Sequence, residues 1–187
     1  MSDTTFNRRD FADKLSGHII ELAYRNPDGS LRTDVLPVPE NPPVHSGGAG
    51  LFSTAADYSA FLQAVLAAGE GQTTILRKDT VDEMFRPQLD GAAKRALQTV
   101  LTGNLPFPVT EDFNHGLSGV INTVDVDGRR REGTLTWGGM SSSQWAGIAA
   151  VLFVNLMGAG DDVIPKLYRE LEEAVYLAIS QDSQNQP

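Results

Sequence analysis

Residues 134–157, TLTWGGMSSSQWAGIAAVLFVNLM, contain the clearest strand pattern of the chain. Polar and apolar residues alternate up to Trp137, and residues 148–157 are almost entirely apolar, as in a buried central strand. Gly138 and Gly139 stand between these two segments, followed by three serines, Ser141, Ser142 and Ser143. Small residues at such a point are typical of a tight turn and also of the rim of an active site. The stretch therefore predicts two neighbouring strands of a sheet and directs attention to a possible nucleophile.

The segments on either side of this stretch complete an α+β pattern. Residues 120–126 are rich in β-branched side chains, and Asp127-Gly128 after them is a strong hairpin signal. Residues 164–179 carry one apolar stripe at helical spacing, with Pro165 in the first turn. We therefore expect an antiparallel sheet of about three strands flanked by helices.

The part of the chain before residue 113 is predicted to be mainly helical. Apolar residues between 6 and 23 recur close to helical spacing. The sequence from Thr54 to Asp57 is a capping-box variant that opens a helix, and Thr80 to Glu83 opens a shorter one. We interpret residues 1–180 as one partial domain, with a helical part over 6–112, a sheet and closing helix over 115–180, and a polar tail over 181–187.

Composition excludes several classes of function. The net charge is −9, whereas nucleic-acid binding needs clustered Lys and Arg. The one basic run, residues 129–131, is interpreted as a solvated hairpin arm. The chain has no cysteine, and no apolar run approaches the ~20 residues of a membrane span. We therefore expect no nucleic-acid partner and no membrane partner, and, since no signal peptide is seen, a cytoplasmic location.

Metal and cofactor sites find no support in the sequence. His18, His45 and His115 are far apart, and none has a partner at metal-ligand spacing. The glycine-rich residues 47–50 lack the preceding strand and the lysine of a phosphate-binding loop. We expect neither a metal nor a cofactor.

Two arrangements of residues in a sequence would indicate a serine nucleophile. The sequence from His115 to Gly119 resembles a nucleophile elbow, but Val120 stands where the last glycine of Gly-x-Ser-x-Gly belongs, so Ser118 fails the test. In Ser-x-x-Lys, one helical turn places an amine beside the hydroxyl. The residues three positions before the four lysines are Phe11, Ile75, Gly91 and Val163. The chain therefore contains no Ser-x-x-Lys.

Three segments carry a resemblance to a family. Residues 47–62, GGAGLFSTAADYSAFL, resemble the Gly-Gly-x-Gly-Leu segment of the β-lactamase-related serine hydrolases, which include class C β-lactamases, esterases and fungal acyltransferases. Residues 76–84 resemble the helix that follows it in that family. Residues 135–140, LTWGGM, resemble its third active-site strand, where esterase-like members carry Trp-Gly-Gly. The resemblance covers residues 45–177 in the family's order and concerns only its C-terminal half.

The resemblance implies both a fold and a site. The family has a five-stranded antiparallel sheet flanked by helices, with Ser-x-x-Lys and a Tyr-x-Asn or Tyr-x-Ser motif upstream of the Gly-Gly loop. Trp137, Gly138, Gly139 and Met140 would then border the acyl pocket on its oxyanion side. The turn after Gly139 is shorter than in the family, so either the serines or Ala146-Gly147 must supply it. Weaker candidates for the site are Tyr24, Asn26, His115 and Ser118.

Several interpretations stay open at this point. The chain is expected to be a C-terminal portion of a serine hydrolase or acyltransferase acting on an ester or amide, inactive alone and truncated. Alternatively it is a non-catalytic module that pairs with a nucleophile-bearing partner chain or forms a homodimer. A third possibility is a module for a hydrophobic ligand beside Trp137 and Phe107. In the non-catalytic interpretations, Trp137 is a core aromatic residue and the glycines relieve packing.

Overall fold

The fold is given by a computed structural model, which describes residues 1–11, 19–35, 39–72, 75–104, 112–139, 144–146, 150–157 and 162–184. Within these ranges the helices are α1 (Ala55–Gly69), α2 (Lys78–Met84), α3 (Gly91–Asn104) and α4 (Val163–Gln184). The strands are β1 (Leu22–Arg25), β2 (Leu31–Asp34), β3 (Phe113–His115), β4 (Val120–Asn122), β5 (Leu135–Gly138), β6 (Gln144–Ala146), β7 (Ala150–Leu152) and β8 (Leu156–Met157). In this part of the chain, no helix is both long and apolar enough to cross a membrane.

The strands form two sheets, which confirms the α+β class. Strands β3 to β7 make a five-stranded antiparallel sheet in sequence order, and β2, β1 and β8 make a smaller sheet in which β1 and β8 run parallel. The expectation of about three strands was therefore too low. The apolar residues 148–157 were interpreted as one strand, but they contribute β7 to one sheet and β8 to the other.

The predicted helix over residues 6–23 is wrong where the structure describes it. A short 3-10 turn covers Arg8–Phe11, and Leu22 and Ala23 belong to β1. Strand β1 has a neighbour on each side, β2 and β8, so its backbone groups are bonded in a sheet. This long-range pairing overrides a local pattern that resembled a helix.

The predicted capping box at the start of α1 is half formed. Thr54 Oγ1 accepts a hydrogen bond from the Asp57 N–H at 3.1 Å, as expected. The Asp57 carboxylate instead accepts from the Asp3 N–H at 2.8 Å and from the Thr4 hydroxyl at 2.7 Å. Aspartate is one methylene shorter than the glutamate of a full capping box. Its carboxylate therefore attaches residues 3 and 4 to the first turn of the helix.

The second capping box, at Thr80, is wrong. Helix α2 begins earlier, at Lys78, and its N-cap residue Arg77 makes no side-chain capping bond. The helix is held by packing instead, because Val81 is buried against Val65 and Ala68 of α1. A second cluster, Leu101, Phe113 and Val120, packs α3 on the first two strands of the larger sheet.

The prediction of a solvated arm at residues 129–131 is wrong for Arg129 and Arg130, whereas Arg131 is exposed. Arg130 is only 3% exposed, and its Nε donates to Glu172 Oε1 at 2.7 Å. Arg129 Nε donates to Glu172 Oε2, also at 2.7 Å. Burial beside this cluster raises the pKa of Tyr168 to about 12. The two arginines therefore attach α4 to the loop between β4 and β5.

Replacing Glu172 by glutamine should destabilise the fold strongly. The substitution keeps the shape but removes the only negative charge of this three-residue cluster, leaving two largely buried guanidinium groups without a counter-ion. Breaking a buried pair in this way costs about 3–5 kcal/mol. The matched control is Glu170→Gln on the same helix, whose partner Lys166 lies 3.9 Å away at the surface. Urea unfolding should show a change below about 1 kcal/mol for the control, and equal effects of the two variants would contradict the anchoring role.

Stability should also depend on the ionisation of Asp57. The hydrogen bond from Thr4, with that from Asp3, lowers the pKa of Asp57 below its usual value. A carboxyl group with a lowered folded-state pKa contributes stability above its unfolded pKa of about 4, and that contribution is lost as the pH falls through the folded-state pKa. The urea midpoint of Asp57→Asn should therefore lie below that of the wild type at pH 7 and approach it below pH ~4. A gap of constant size across this range would contradict the assignment.

Candidate active site

Two aromatic rings meet on the larger sheet at the position that the sequence indicated. His115 ends β3 and Trp137 lies on β5, and their ring centroids are 5.5 Å apart in an edge-on contact with an interplanar angle of 80°. Trp137 is 43% exposed, whereas Leu135 and Thr136 before it are buried. The interpretation of Trp137 as a core aromatic residue is therefore wrong. The two rings form a partly open aromatic surface.

The loop between β3 and β4 is held by two close backbone contacts. A Cβ on Gly116 would lie 2.2 Å from the Met84 carbonyl oxygen, and one on Gly119 would lie 2.7 Å from the Thr136 carbonyl oxygen. Only glycine permits such distances. The Gly116 N–H also donates to the Gly119 carbonyl at 2.8 Å, which closes the loop. The loop is thereby attached to α2 on one side and to β5 on the other.

This loop also determines what Ser118 can do. A nucleophile elbow turns from a strand into a helix, whereas Ser118 lies in a turn between two paired antiparallel strands. The residue is exposed. It therefore lacks the setting of an elbow, as the sequence test indicated.

The backbone of His115 is positioned by a side chain that the sequence did not single out. Asn114 Oδ1 accepts from the Leu89 N–H at 3.0 Å and from the His115 N–H at 2.7 Å, and Asn114 Nδ2 donates to the Leu89 carbonyl at 2.8 Å. The His115 carbonyl accepts from the Gln88 N–H at 2.9 Å. Asn114 is buried, and only its polarity within a strand could have signalled it.

The ring of His115 has a defined tautomer when it is neutral. Its Nδ1 contacts the Gly116 carbonyl oxygen, which can only accept a hydrogen bond. Nδ1 therefore carries the hydrogen, and Nε2 is an acceptor.

Gly138 and Gly139 end β5 next to this aromatic pair. Gly138 is in register with Gln144 of β6. A Cβ built on Gly139 meets no atom of the described residues within 4 Å, and Gly139 is not among the glycines with positive φ. Within the part of the chain that the structure describes, neither packing nor backbone conformation requires a glycine at position 139. Met140 and the serines 141–143 lie outside the described residues.

The remaining candidates are not brought to this site. Tyr24 is on β1 in the smaller sheet, where the Arg32 guanidinium lies 4.4 Å from its ring centroid. Asn26 belongs to the β1–β2 turn, and its Nδ2 donates to Ser30 Oγ at 3.0 Å. The Tyr-x-Asn letters therefore belong to a hairpin whose side chains bond to each other. His45 stacks on Phe6, and His18 and Phe107 lie outside the described residues.

Comparisons with known proteins support the resemblance. No family model matches the chain. Monacolin J acid methylbutanoyltransferase of Aspergillus terreus is 28% identical over 97% of this chain and 46% of its own length. Lovastatin esterase of Penicillium rubens is 37% identical over 53% of this chain and 26% of its own length.

Solved structures agree with these relatives. A mutant of simvastatin synthase from Aspergillus terreus superposes with a TM-score of 0.84 at 28% identity, over 96% of this chain and 48% of the synthase. The unliganded synthase gives a TM-score of 0.76 at 30% identity. The chain spans about half the length of these proteins and matches the C-terminal part of their fold. The resemblance is therefore confirmed, and the chain is a relative of the acyltransferases and esterases among the β-lactamase-related serine hydrolases.

Proposed function

We propose that this chain forms one wall of an acyl-transfer site for esters or amides, with the nucleophile supplied by residues outside it. The observation that carries the proposal is the exposed contact between His115 and Trp137 beside Gly139, where an added Cβ would meet no atom of the described residues within 4 Å. An aromatic surface next to open backbone suits a bound acyl group, because a carbonyl oxygen can approach to hydrogen-bonding distance where no Cβ stands in front.

The reaction needs a nucleophile and an oxyanion site. A serine outside this chain would attack the acyl carbonyl and lose its proton to a neighbouring base, forming a tetrahedral intermediate. Collapse of the intermediate breaks the ester C–O bond, and the base returns its proton to the departing alcohol. The acyl group stays on the serine until water or an acceptor alcohol attacks it and releases the serine. The contribution of this chain is electrostatic and steric: backbone at the end of β5 faces the developing negative charge. Trp137 flanks the acyl chain, and His115 Nε2 provides a proton acceptor at the edge of the pocket.

The names of the relatives support an ester substrate. One is a methylbutanoyltransferase and another is an esterase, so both kinds of name imply cleavage or formation of an ester. We infer esters of short branched acids as the substrate class for the assembled site. The exposed indole of Trp137 offers an apolar surface of suitable chemistry for such an acyl chain.

The purified chain alone should not perform the reaction. It contains no Ser-x-x-Lys, the nucleophile arrangement of the family that it resembles. A fluorophosphonate probe should give no stoichiometric serine label by intact mass, and p-nitrophenyl esters should turn over at the buffer rate. Stoichiometric labelling of any serine in the chain would contradict this prediction.

The wall itself is tested in a fusion in which the chain replaces the matched C-terminal part of the Aspergillus terreus synthase. We expect the fusion to cleave p-nitrophenyl 2-methylbutanoate. Gly139→Ala should lower kcat/KM by about tenfold or more, because a methyl group blocks approach to the backbone. It should leave the melting temperature of the isolated chain unchanged, because that methyl group meets no atom within 4 Å among the residues that the structure describes.

Gly119→Ala is the matched control. Its methyl group would meet the Thr136 carbonyl, so this variant should destabilise the isolated chain. A folded fusion without ester turnover, or one in which Gly139→Ala and Trp137→Ala leave kcat/KM unchanged, would contradict the proposed wall.

A further inference from the structure

The hairpin of β1 and β2 has one open strand edge. Strand β2 lies at the end of the smaller sheet, and all four of its residues are exposed. Within the part of the chain that the structure describes, no strand pairs with the outer side of β2. Leu31 is 58% exposed, and Val35, the residue after the strand, is 82% exposed. An open edge with apolar side chains is a template for pairing with another chain.

The hydrogen bonds of the hairpin determine which backbone groups face outward. The Asn26 N–H donates to the Ser30 carbonyl at 2.8 Å, and bonded and non-bonded residue pairs alternate from there along the two strands. Thr33 and Ala23, which lie opposite each other, therefore form a non-bonded pair. In agreement, Ala23 donates its N–H away from β2, to a carbonyl next to β8 at 2.8 Å. Leu31 and Thr33 thus direct their N–H and C=O groups away from β1.

Only one two-fold register of β2 against a second copy pairs opposite charges. With the symmetry axis at Thr33, Arg32 lies opposite Asp34 of the other copy, and Leu31 lies opposite Val35. An axis at Arg32 or at Asp34 would place like charges opposite each other, which is unfavourable. An axis at Leu31 would place Arg32 opposite a serine. The charges of the strand therefore select the register centred on Thr33.

The side chains fit this register on both faces of the sheet. Arg32 Nη1 donates to Asp34 Oδ2 of its own chain at 3.0 Å, and both side chains are about half exposed. Side chains of a non-bonded pair lie close together, so the same guanidinium group can also reach Asp34 of the other copy. On the opposite face, Leu31 and Val35 of both copies would form an apolar cluster around the two Thr33 side chains.

From these observations we propose that two copies of this chain pair through β2, antiparallel and centred on Thr33, so that their three-stranded sheets join edge to edge. Each Thr33 N–H donates to the Thr33 carbonyl of the other copy, and each Leu31 N–H donates to the Val35 carbonyl. The Val35 N–H already donates to Asp34 Oδ1 at 2.8 Å, and these bonds form without displacing it.

The interface is small, and the net charge opposes it. About five residues on each side take part, well below the size of a standard interface. The net charge of −9 on each chain produces a repulsion that physiological salt screens beyond ~8 Å. We therefore expect a weak dimer whose dissociation constant falls when NaCl is raised from low to physiological concentration. The dimer uses no residue of the acyl site, so its test is independent of the proposed function.

A charge exchange tests the register. Sedimentation equilibrium of the isolated chain, up to about 1 mM, should show a monomer–dimer equilibrium. Arg32→Asp places carboxylates opposite each other at two symmetric sites and should raise the dissociation constant about tenfold or more. The double variant Arg32→Asp with Asp34→Arg exchanges the two charges and should return the dissociation constant to within about threefold of the wild type.

The matched control for the charge change is Arg77→Asp. It alters the net charge by the same amount and breaks another exposed pair of arginine and aspartate two residues apart, Arg77 with Asp79. Because Arg77 lies outside the hairpin, this variant should change the dissociation constant by less than about threefold.

A second pair of variants tests the backbone bonds. Thr33→Pro removes the outward N–H at the symmetry axis, whereas Thr33→Val keeps that N–H and the branched shape of the side chain. Proline is tolerated on an edge strand whose N–H faces solvent, so both variants should retain the circular dichroism spectrum of the wild type. Thr33→Pro should abolish the dimer, and Thr33→Val should not.

Two outcomes would overturn the proposal. One is a chain that stays monomeric over the whole concentration range. If the amide hydrogens of Leu31 and Thr33 are then protected from exchange in the fusion, the other half of the fold occupies the edge instead. The other outcome is a dimer that Arg32→Asp weakens no more than Arg77→Asp does, or that the double variant fails to restore. Such a dimer would use a different surface or a different register.

Discussion

The close approach of Gly119 to β5 is the constraint on which the candidate site depends. With a Cβ only 2.7 Å from the Thr136 carbonyl oxygen, no other residue could occupy this position without moving a strand. The register follows from that contact, because Val120, the next residue, pairs with Thr136 on β5 and with His115 on β3. His115, Val120 and Thr136 therefore lie side by side across three strands, and Trp137, which follows Thr136, contacts the ring of His115. A loop without chemistry of its own therefore positions the two rings.

The second constraint is electrostatic and concerns α4. Two arginines from one loop share one glutamate of the helix, and all three side chains are nearly covered. Such an arrangement is weak evidence for stability in itself, since desolvation of the charges opposes their attraction. It does specify orientation, because Glu172 can reach both guanidinium groups from only one rotation of the helix.

Local features of the sequence predicted those parts of the fold that depend on local interactions. The start of α1 follows from Thr54, and Gly128 adopts the positive φ of 66° that the Asp-Gly turn signal requires. Leu22 and Ala23 were assigned to the wrong element because strand pairing with residues 133 positions later decides their conformation. Arg130 was assigned to solvent because a basic run is usually exposed, and Glu172, 42 residues away, gave no local sign of pairing with it.

The site was predictable to the same extent. The strand pattern and the family resemblance identified Trp137, Gly138 and Gly139. Gly116 and Gly119 lie in the segment that resembles a nucleophile elbow. The meeting of His115 with Trp137 depends on a loop closed by two missing Cβ atoms, and spacing in the sequence does not reveal this. The role of Asn114 was not predictable for a related reason. Its side chain binds backbone groups of Leu89, and a sequence does not show which backbone groups a side chain will bind.

The position of the wall and the chemistry of the site depend on different residues. The contacts that place His115 come from residues 84–139, and Trp137 also pairs with Trp145 of β6, so the wall can form from this chain without a nucleophile. The acyl-transfer step cannot take place without a nucleophile, because backbone hydrogen-bond donors cannot form a covalent bond with the acyl group. A chain of this kind would retain its aromatic surface while inactive.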